Sequence, residues 1–336
     1  MKLTEKIMNN YKQIVESFKS EDPNVDTIWR SIILFGKNTA SYKFSLAKSL
    51  LQLAEKGQSR VTFSELATVY APYLISHIQE GMSQDTRSTD SKLIKTYKRY
   101  LDQEIDFDHI VDFTSKNAFK DVIPRFHTVG AGLPFQFYEF DMANKEIVLS
   151  DKLYLLKSLD DGLLSDEVEA RWRLVETAWN LGVSVNHLET KVDSELNSLY
   201  LEGPNYRRSV TEVRDALSGY QKGLCFYSRQ PIIKITTDVD HFFPVSKQNI
   251  HGTVNLNGVW NLILADASVN RSKSDKRADE VYLAKLHQRN EYYIASRHPL
   301  GETIAKQTGD TPDKRKSFLR KHNELAKQYS AVSWKP

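Results

Sequence analysis

Apolar residues return at three- and four-residue spacing through most of the first 125 positions, the period that predicts helices packed by one face. The opening MKLTEKIMNNYKQIVESF reads as an amphipathic, largely polar helix. Residues 27–36 (TIWRSIILFG) and 41–55 carry the same period, the second stopping at Gly57. Thr62 and Glu65 have capping-box spacing ahead of LATVYAPYLISHI, a helix that Pro72 is expected to disturb. A polar loop is expected over 84–92, followed by apolar-periodic stretches at 94–101 and 110–122.

The pattern changes beyond residue 125. Residues 135–140 and 145–149 look extended and flank a turn-like cluster from Asp141 to Asn144, which predicts a hairpin. Gly130 and Gly132 stand outside any phosphate-loop or dinucleotide context and are assigned to a turn. Residues 165–180 give a strong helix signal, with Ser165 as the expected cap and Gly182 as the stop. Trp172 and Trp179 share one face of that helix and read as core. Residues 183–204 lack a clean period, so the expected division separates a mainly α-helical domain, 1–200, from a second domain, 201–336. In the second, 205–219 reads as a lead-in helix, and 232–240, rich in Ile, Thr and Val, as a strand. Pro244 ends the extended run, 259–264 suits a returning strand, and the chain turns polar and helical from Ala267, with VYLAKL at 281–286. The fold class expected is α+β.

A length of 336 residues with 40% hydrophobic and 11% aromatic content describes a globular chain with room for two cores. No uninterrupted run of about 18 apolar residues occurs, so no membrane partner is expected and the chain reads as cytoplasmic. The single cysteine, Cys225, excludes an intramolecular disulfide and suits a reducing compartment. The net charge of +3 conceals an asymmetry. Residues 201–336 hold 22 Lys and Arg against 14 Asp and Glu, a net of +8, which leaves residues 1–200 at −5. The basic half is the half suited to phosphate, so nucleic acid is the expected partner. The acidic, helical 1–200 region suits a protein partner or self-association.

Chemistry concentrates in DVDHFFPVS (238–246) and WNLILADASVNRSKSDK (260–276). Hydrolysing a phosphodiester near neutral pH requires a base for water and a cation to absorb charge on oxygen. His241 is a candidate base, since a neutral imidazole accepts a proton near pH 6.5. Asp240 offers a carboxylate and Asn270 an amide oxygen, the hard donors that Mg²⁺ or Mn²⁺ prefers. A similar spelling, DFDHIVDF at 106–113, lacks the proline and the following Asn and Lys, and its spacing fits an amphipathic helix, so His109 is read as structural.

The ordered set Asp240-His241, Pro244, Asn261, Asn270 and Lys273, within a strand–loop–strand–helix reading, resembles the HNH (ββα-metal) nuclease motif over about a quarter of the chain. The DVDH and NRSKSD pieces are similar to the HNH domain of CRISPR-type RNA-guided nucleases, though only as a single domain: 336 residues leave no room for the rest of such a machine. The resemblance implies that His241 is the general base, that Asp240 and Asn270 hold the metal, that Asn261 orients the catalytic histidine, and that Lys273 contacts phosphate. Arg229, Arg271, Lys276 and Arg277 flank the site as further candidate phosphate contacts. Many HNH proteins carry two Cys-x-x-Cys pairs around a structural zinc. Here Ser228 stands where the second cysteine of the first pair belongs and the downstream pair is missing, so no structural zinc is expected. The resemblance therefore implies an endonuclease acting on nucleic acid, DNA before RNA, and its architecture suits restriction or anti-phage defence. A mobile-element endonuclease and an effector subunit active only within a complex are the alternatives.

Overall fold

The computed structural model describes residues 2–86, 89–160, 162–181, 191–193, 198–203, 206–296 and 298–336. The chain is α+β and mainly helical, with small antiparallel sheets, and divides into two compact units, Met1–Gly182 and Val183–Pro336. A division expected between residues 200 and 201 falls inside the second unit.

The first unit opens with α1 (Lys2–Glu21), α2 (Val25–Phe35) and α3 (Tyr42–Glu55), as the apolar period requires. After β1 (Arg60–Thr62) comes α4 (Phe63–Gln79), which begins on the expected capping box: Glu65 N–H donates to Thr62 Oγ1 at 3.2 Å and Thr62 N–H donates to Glu65 Oε2 at 2.8 Å. Pro72 does not interrupt α4. A mid-helix proline costs about 3 kcal/mol, and the fully buried Leu66, Tyr70 and Leu74 on the same helix supply the packing that outweighs it. Then come α5 (Lys92–Leu101), α6 (Phe107–Asn117) and α7 (Phe119–Arg125); the single stretch expected over 110–122 is two helices meeting at Ala118. Asp106 caps α6, and His109 lies exposed on its surface.

The hairpin forms as β2 (Tyr138–Asp141) and β3 (Glu146–Leu149), its turn held by Asp141 Oδ1, which accepts from the Ala143 and Asn144 amides. β1 adds to its edge, a strand too short to leave a pattern in the sequence. The helices α8 (Asp151–Ser158) and α9 (Leu163–Asn180) complete the unit. Ser165 is not the cap of α9. Gly162 occupies that position, at φ +90°, and Ser165 lies in the first turn. Trp172 is fully buried, stacked 3.6 Å from His77, whereas Trp179 is half-buried. The expected stop at Gly182 lies outside the described residues.

In the second unit β4 (Lys191–Asp193), β5 (Ser198–Gly203) and β6 (Tyr206–Glu212) form an antiparallel sheet. The lead-in helix expected over 205–219 is strand in its first half, where β6 pairs along its length with β5, and becomes helical only at α10 (Val213–Ser218). The next strand, β7 (Thr237–His241), starts later than expected, after a 3-10 turn at Lys234–Thr236. Ile233 and Ile235, the residues that made the run look strand-like, are exposed. After α11 (Gln248–His251) and a 3-10 turn, Val259–Asn261, comes β8 (Leu262–Asp266), followed directly by α12 (Ala267–Lys273). β7 and β8 pair antiparallel from Thr237↔Asp266 to His241↔Leu262. The unit ends with α13 (Glu280–Ala295), α14 (Pro299–Thr308) and α15 (Pro312–Ala326). Arg289 of α13 is buried and donates to the carbonyls of Val259 (3.2 Å), Trp260 (3.0 Å) and Leu262, fixing the entry into β8. Burial pushes its guanidinium down to about 10.

Candidate active site

Side chains alternate along a strand, so Asp238 and Asp240 share one face of β7 while Val239 and His241 share the other. Residues three apart on a helix also share a face, which aligns Asn270 with Lys273 on α12. The two periods mesh as two rungs. Asn270 Nδ2 donates to Asp238 Oδ2 at 3.0 Å, and Lys273 Nζ lies 3.0 Å from Asp240 Oδ2. The first residue of α12 follows Asp266, whose carboxylate caps the helix by accepting from the Ser268 amide at 2.8 Å and the Val269 amide at 3.4 Å. That cap sets where the helix starts and therefore where both rungs fall.

The rungs differ in kind. Lys273 is fully buried; besides Asp240 it donates to the His241 carbonyl at 2.9 Å. Its ammonium is thus spent inside the unit, which corrects the expectation that it contacts phosphate. Asp240 is 9% exposed and also accepts from Tyr227 Oη at 3.2 Å. Burial pushes the Asp240 carboxyl upward, against the opposing pull of Lys273 and Tyr227. Asp238, by contrast, is half-buried, and its carboxylate faces Asn270. Asp238 lies outside the residues that the motif singles out, and Asp-x-Asp spacing on a strand, opposite Asn-x-x-Lys on a helix, is the signal in the sequence that marks it; Tyr227, expected as apolar packing, also donates to Asp240.

His241 ends β7, half-buried. Its Nε2 is buried and has no hydrogen-bond partner among the described residues. Burial lowers its pKa below 6.5, a hydrogen bond with Asn257 opposes this, and the charge of Lys273 adds to the lowering. The lowering favours the neutral imidazole, and Nε2 is the ring nitrogen without a partner among the described residues.

Asn261 is fully buried and does not orient the imidazole itself. Its Oδ1 accepts from the Phe243 amide at 2.9 Å, and its Nδ2 donates to the carbonyls of Phe243 (2.9 Å) and Leu256 (2.8 Å). With its side-chain oxygen and both amide hydrogens committed, it positions the backbone just after His241.

Of the other candidate phosphate contacts, Arg271 and Lys276 are exposed, the latter with Nζ donating to Ser272 O at 3.0 Å. Arg277 is buried, donating to Ser330 O at 3.2 Å and Ala331 O at 3.4 Å, so it fastens the C-terminal segment and is not available to phosphate. Arg229 is half-buried at a left-handed turn position, φ +62°, its amide donating to Cys225 O at 3.0 Å. Cys225 is buried and its Sγ accepts from the Asp266 amide at 3.4 Å.

Asp238 and Asn270 are the residues of the outer rung that would hold a hard divalent cation, the first through its carboxylate and the second through its amide oxygen. Rotating the Asn270 amide by half a turn exchanges its nitrogen for its oxygen without moving the backbone. Among the described residues no group of three or more His, Cys, Asp and Glu is arranged to hold a metal, so a cation here would take only part of its shell from protein and the rest from water and phosphate. No described helix is long and apolar enough to cross a membrane. Comparison of the chain with protein-family models, with curated proteins and with solved structures found no match.

Proposed function

We propose that the second unit is a metal-dependent endonuclease of the HNH type and that its substrate is DNA. The observation that carries this reading is His241, whose Nε2 has no hydrogen-bond partner among the described residues, on the same short strand that sets the Asp238 carboxylate against Asn270 of α12. His241 takes the proton from an attacking water through Nε2. A lowered pKa keeps the imidazole unprotonated, and so competent as a base, at neutral pH. Asn270 and a β7 carboxylate hold the divalent ion, which when bound supplies Lewis-acid stabilisation of charge on the phosphate oxygens. Lys273 holds the His241 carbonyl and Asn261 the main chain of Phe243 just after it, so the base is positioned in part through its backbone. Arg271 and Lys276, exposed on and just after α12, attract the phosphate backbone.

The contrast between −3 over residues 1–182 (23 Lys and Arg against 26 Asp and Glu) and +6 over 183–336 (23 against 17) favours a division of labour in which the first unit selects or controls and the second cuts. It also favours a second reading, an effector silent until a protein partner engages the acidic unit. Restriction or anti-phage defence is the setting that such a layout suits.

The test is plasmid cleavage by the purified full-length protein in Mg²⁺ or Mn²⁺, with and without EDTA, beside His241→Ala. Metal-dependent nicking lost in the variant supports the reading. Cleavage indifferent to both EDTA and the substitution refutes it.

A further inference from the structure

The expected ligand pair is Asp240 with Asn270, but the rungs separate these two residues. We infer that Asp238 is the carboxylate that shares the divalent ion with Asn270, and that Asp240 with Lys273 is an internal tie fastening α12 to β7. This rests on the nuclease reading, and deepens it by naming the ligand.

Three observations carry it. The first is proximity: the carboxylate within hydrogen-bond distance of the Asn270 amide is that of Asp238. The second is charge. A cation bound at Asp240 Oδ2 would lie beside the Lys273 ammonium, already 3.0 Å from that oxygen and with no exposed surface through which to withdraw. Two like charges in so buried a place repel strongly. Tyr227 Oη and the His241 amide occupy more of the same carboxylate. The third is access. A nuclease metal must meet phosphate and water, and Asp238 is half-buried where Asp240 is buried.

The inner rung has its own use. Small ββα units commonly depend on a structural metal, whereas the second unit has one cysteine, its sulfur engaged by the Asp266 amide. Lys273 reaches from α12 to the Asp240 side chain and the His241 carbonyl together, so it joins helix to strand at the last residue of β7. Breaking such a buried pair from one side is strongly destabilising, whereas replacing both partners by apolar residues of similar volume is tolerated.

The experiment uses full-length protein and Mn²⁺ as the probe, with affinity followed by the electron-paramagnetic-resonance signal of free Mn²⁺ and stability by thermal denaturation. Asp238→Asn is expected to weaken Mn²⁺ binding by about tenfold or more, the scale on which even outer-shell partners of a metal matter, and to leave the melting temperature near wild type. Asp240→Asn is expected to keep Mn²⁺ affinity and to melt earlier. The pair Asp240→Leu with Lys273→Met is expected to recover stability and still bind Mn²⁺; it serves as the informative variant should Asp240→Asn fail to fold. If the double variant, folded, loses Mn²⁺ while Asp238→Asn keeps it, the assignment is reversed and the nuclease reading stands. If every folded variant loses Mn²⁺ equally, the division between the rungs is wrong. A wild-type protein that neither binds Mn²⁺ nor cleaves in its presence overturns the nuclease reading and this inference with it.

Discussion

Replacing Asn261 by alanine should damage stability far more than it damages any contact to the imidazole. The side chain makes three hydrogen bonds to main chain, at 2.9, 2.9 and 2.8 Å, and is fully buried. Truncation leaves the Phe243 amide, the Phe243 carbonyl and the Leu256 carbonyl without that partner, and both residues are themselves buried. Each intramolecular hydrogen bond contributes about 1 kcal/mol net, and a buried group left unpaired costs about 1–3 kcal/mol. The expected loss is therefore about 3–5 kcal/mol, a large share of the roughly 5–15 kcal/mol that holds a domain folded. With a urea slope of about 2 kcal/mol/M, the midpoint should fall by about 2 M. Asn261→Asp is expected to fare no better, since it keeps the acceptor for the Phe243 amide but sets a carboxylate against two carbonyl oxygens. Hydrogen exchange followed on peptides spanning 242–266 isolates the second unit, and the Phe243 amide should lose protection first. His241→Ala, which removes no hydrogen bond from Nε2, supplies the reference. The reasoning is refuted if Asn261→Ala keeps its stability within about 1 kcal/mol, a size typical of surface changes, keeps Phe243 protection, and still loses cleavage. That pattern would mean that Asn261 acts on the imidazole directly, as the sequence resemblance implies.

His241→Ala itself should lower single-turnover cleavage by about 10²–10⁴, the usual contribution of a general base, with affinity for DNA unchanged; retention of more than a few per cent of activity rules the base assignment out. His251 Nδ1 lies 2.9 Å from His322 Nδ1, so one ring donates while the other accepts and the pair is neutral; burial lowers both, His322 to about 4. The charge of Lys321 adds to the lowering at His322, and the Tyr329 ring packs against His251. A folded pKa below the unfolded 6.5 gives stability that is complete above pH 6.5 and lost as pH falls toward 4. Melting curves between pH 7 and 4 should show that loss, and His322→Gln should flatten it; equal acid sensitivity in the variant would dismiss the pair as its source. Cleavage should require Mg²⁺ or Mn²⁺ and survive a zinc-selective chelator, because one cysteine cannot form a structural zinc cluster; unfolding on zinc removal would contradict this.

What the sequence made legible is what local chemistry decides. The capping box at Thr62 and Glu65 and the Asp141 turn are settled by bonds between near neighbours, and both are present in the fold. The two-strand-then-helix order around His241 was also readable, although β7 begins later and β8 is shifted toward α12 relative to the apolar runs. What could not be read depends on distant partners. β6 is a strand because β5 lies beside it, although its sequence tolerates a helix. Lys273 and Arg277 look like two more basic residues in a basic stretch until Tyr227 and Asp240 bury the one and Ser330 and Ala331 engage the other. Asp238 was passed over because the eye weighs the aspartate beside the histidine, whereas strand alternation turns neighbours to opposite faces.

The same non-local bonds hold the main chain around His241, whose ring itself makes a hydrogen bond with Asn257. In the proposed role the imidazole needs a fixed orientation, and the Asn257 bond is joined by restraints on the main chain. Lys273 holds the His241 carbonyl, the Phe242 amide donates to Asn261 O at 2.8 Å, and the Asn261 side chain holds Phe243 on both its amide and its carbonyl. Arg289 and Gln221 secure the opposite strand, the latter by accepting from the Leu264 amide at 2.9 Å and donating to its carbonyl at 3.0 Å. Such a buried network is favourable only while every member is satisfied. Removing any one anchor should therefore misplace His241 by moving its backbone, while the buried Nε2 has no hydrogen bond among the described residues to lose.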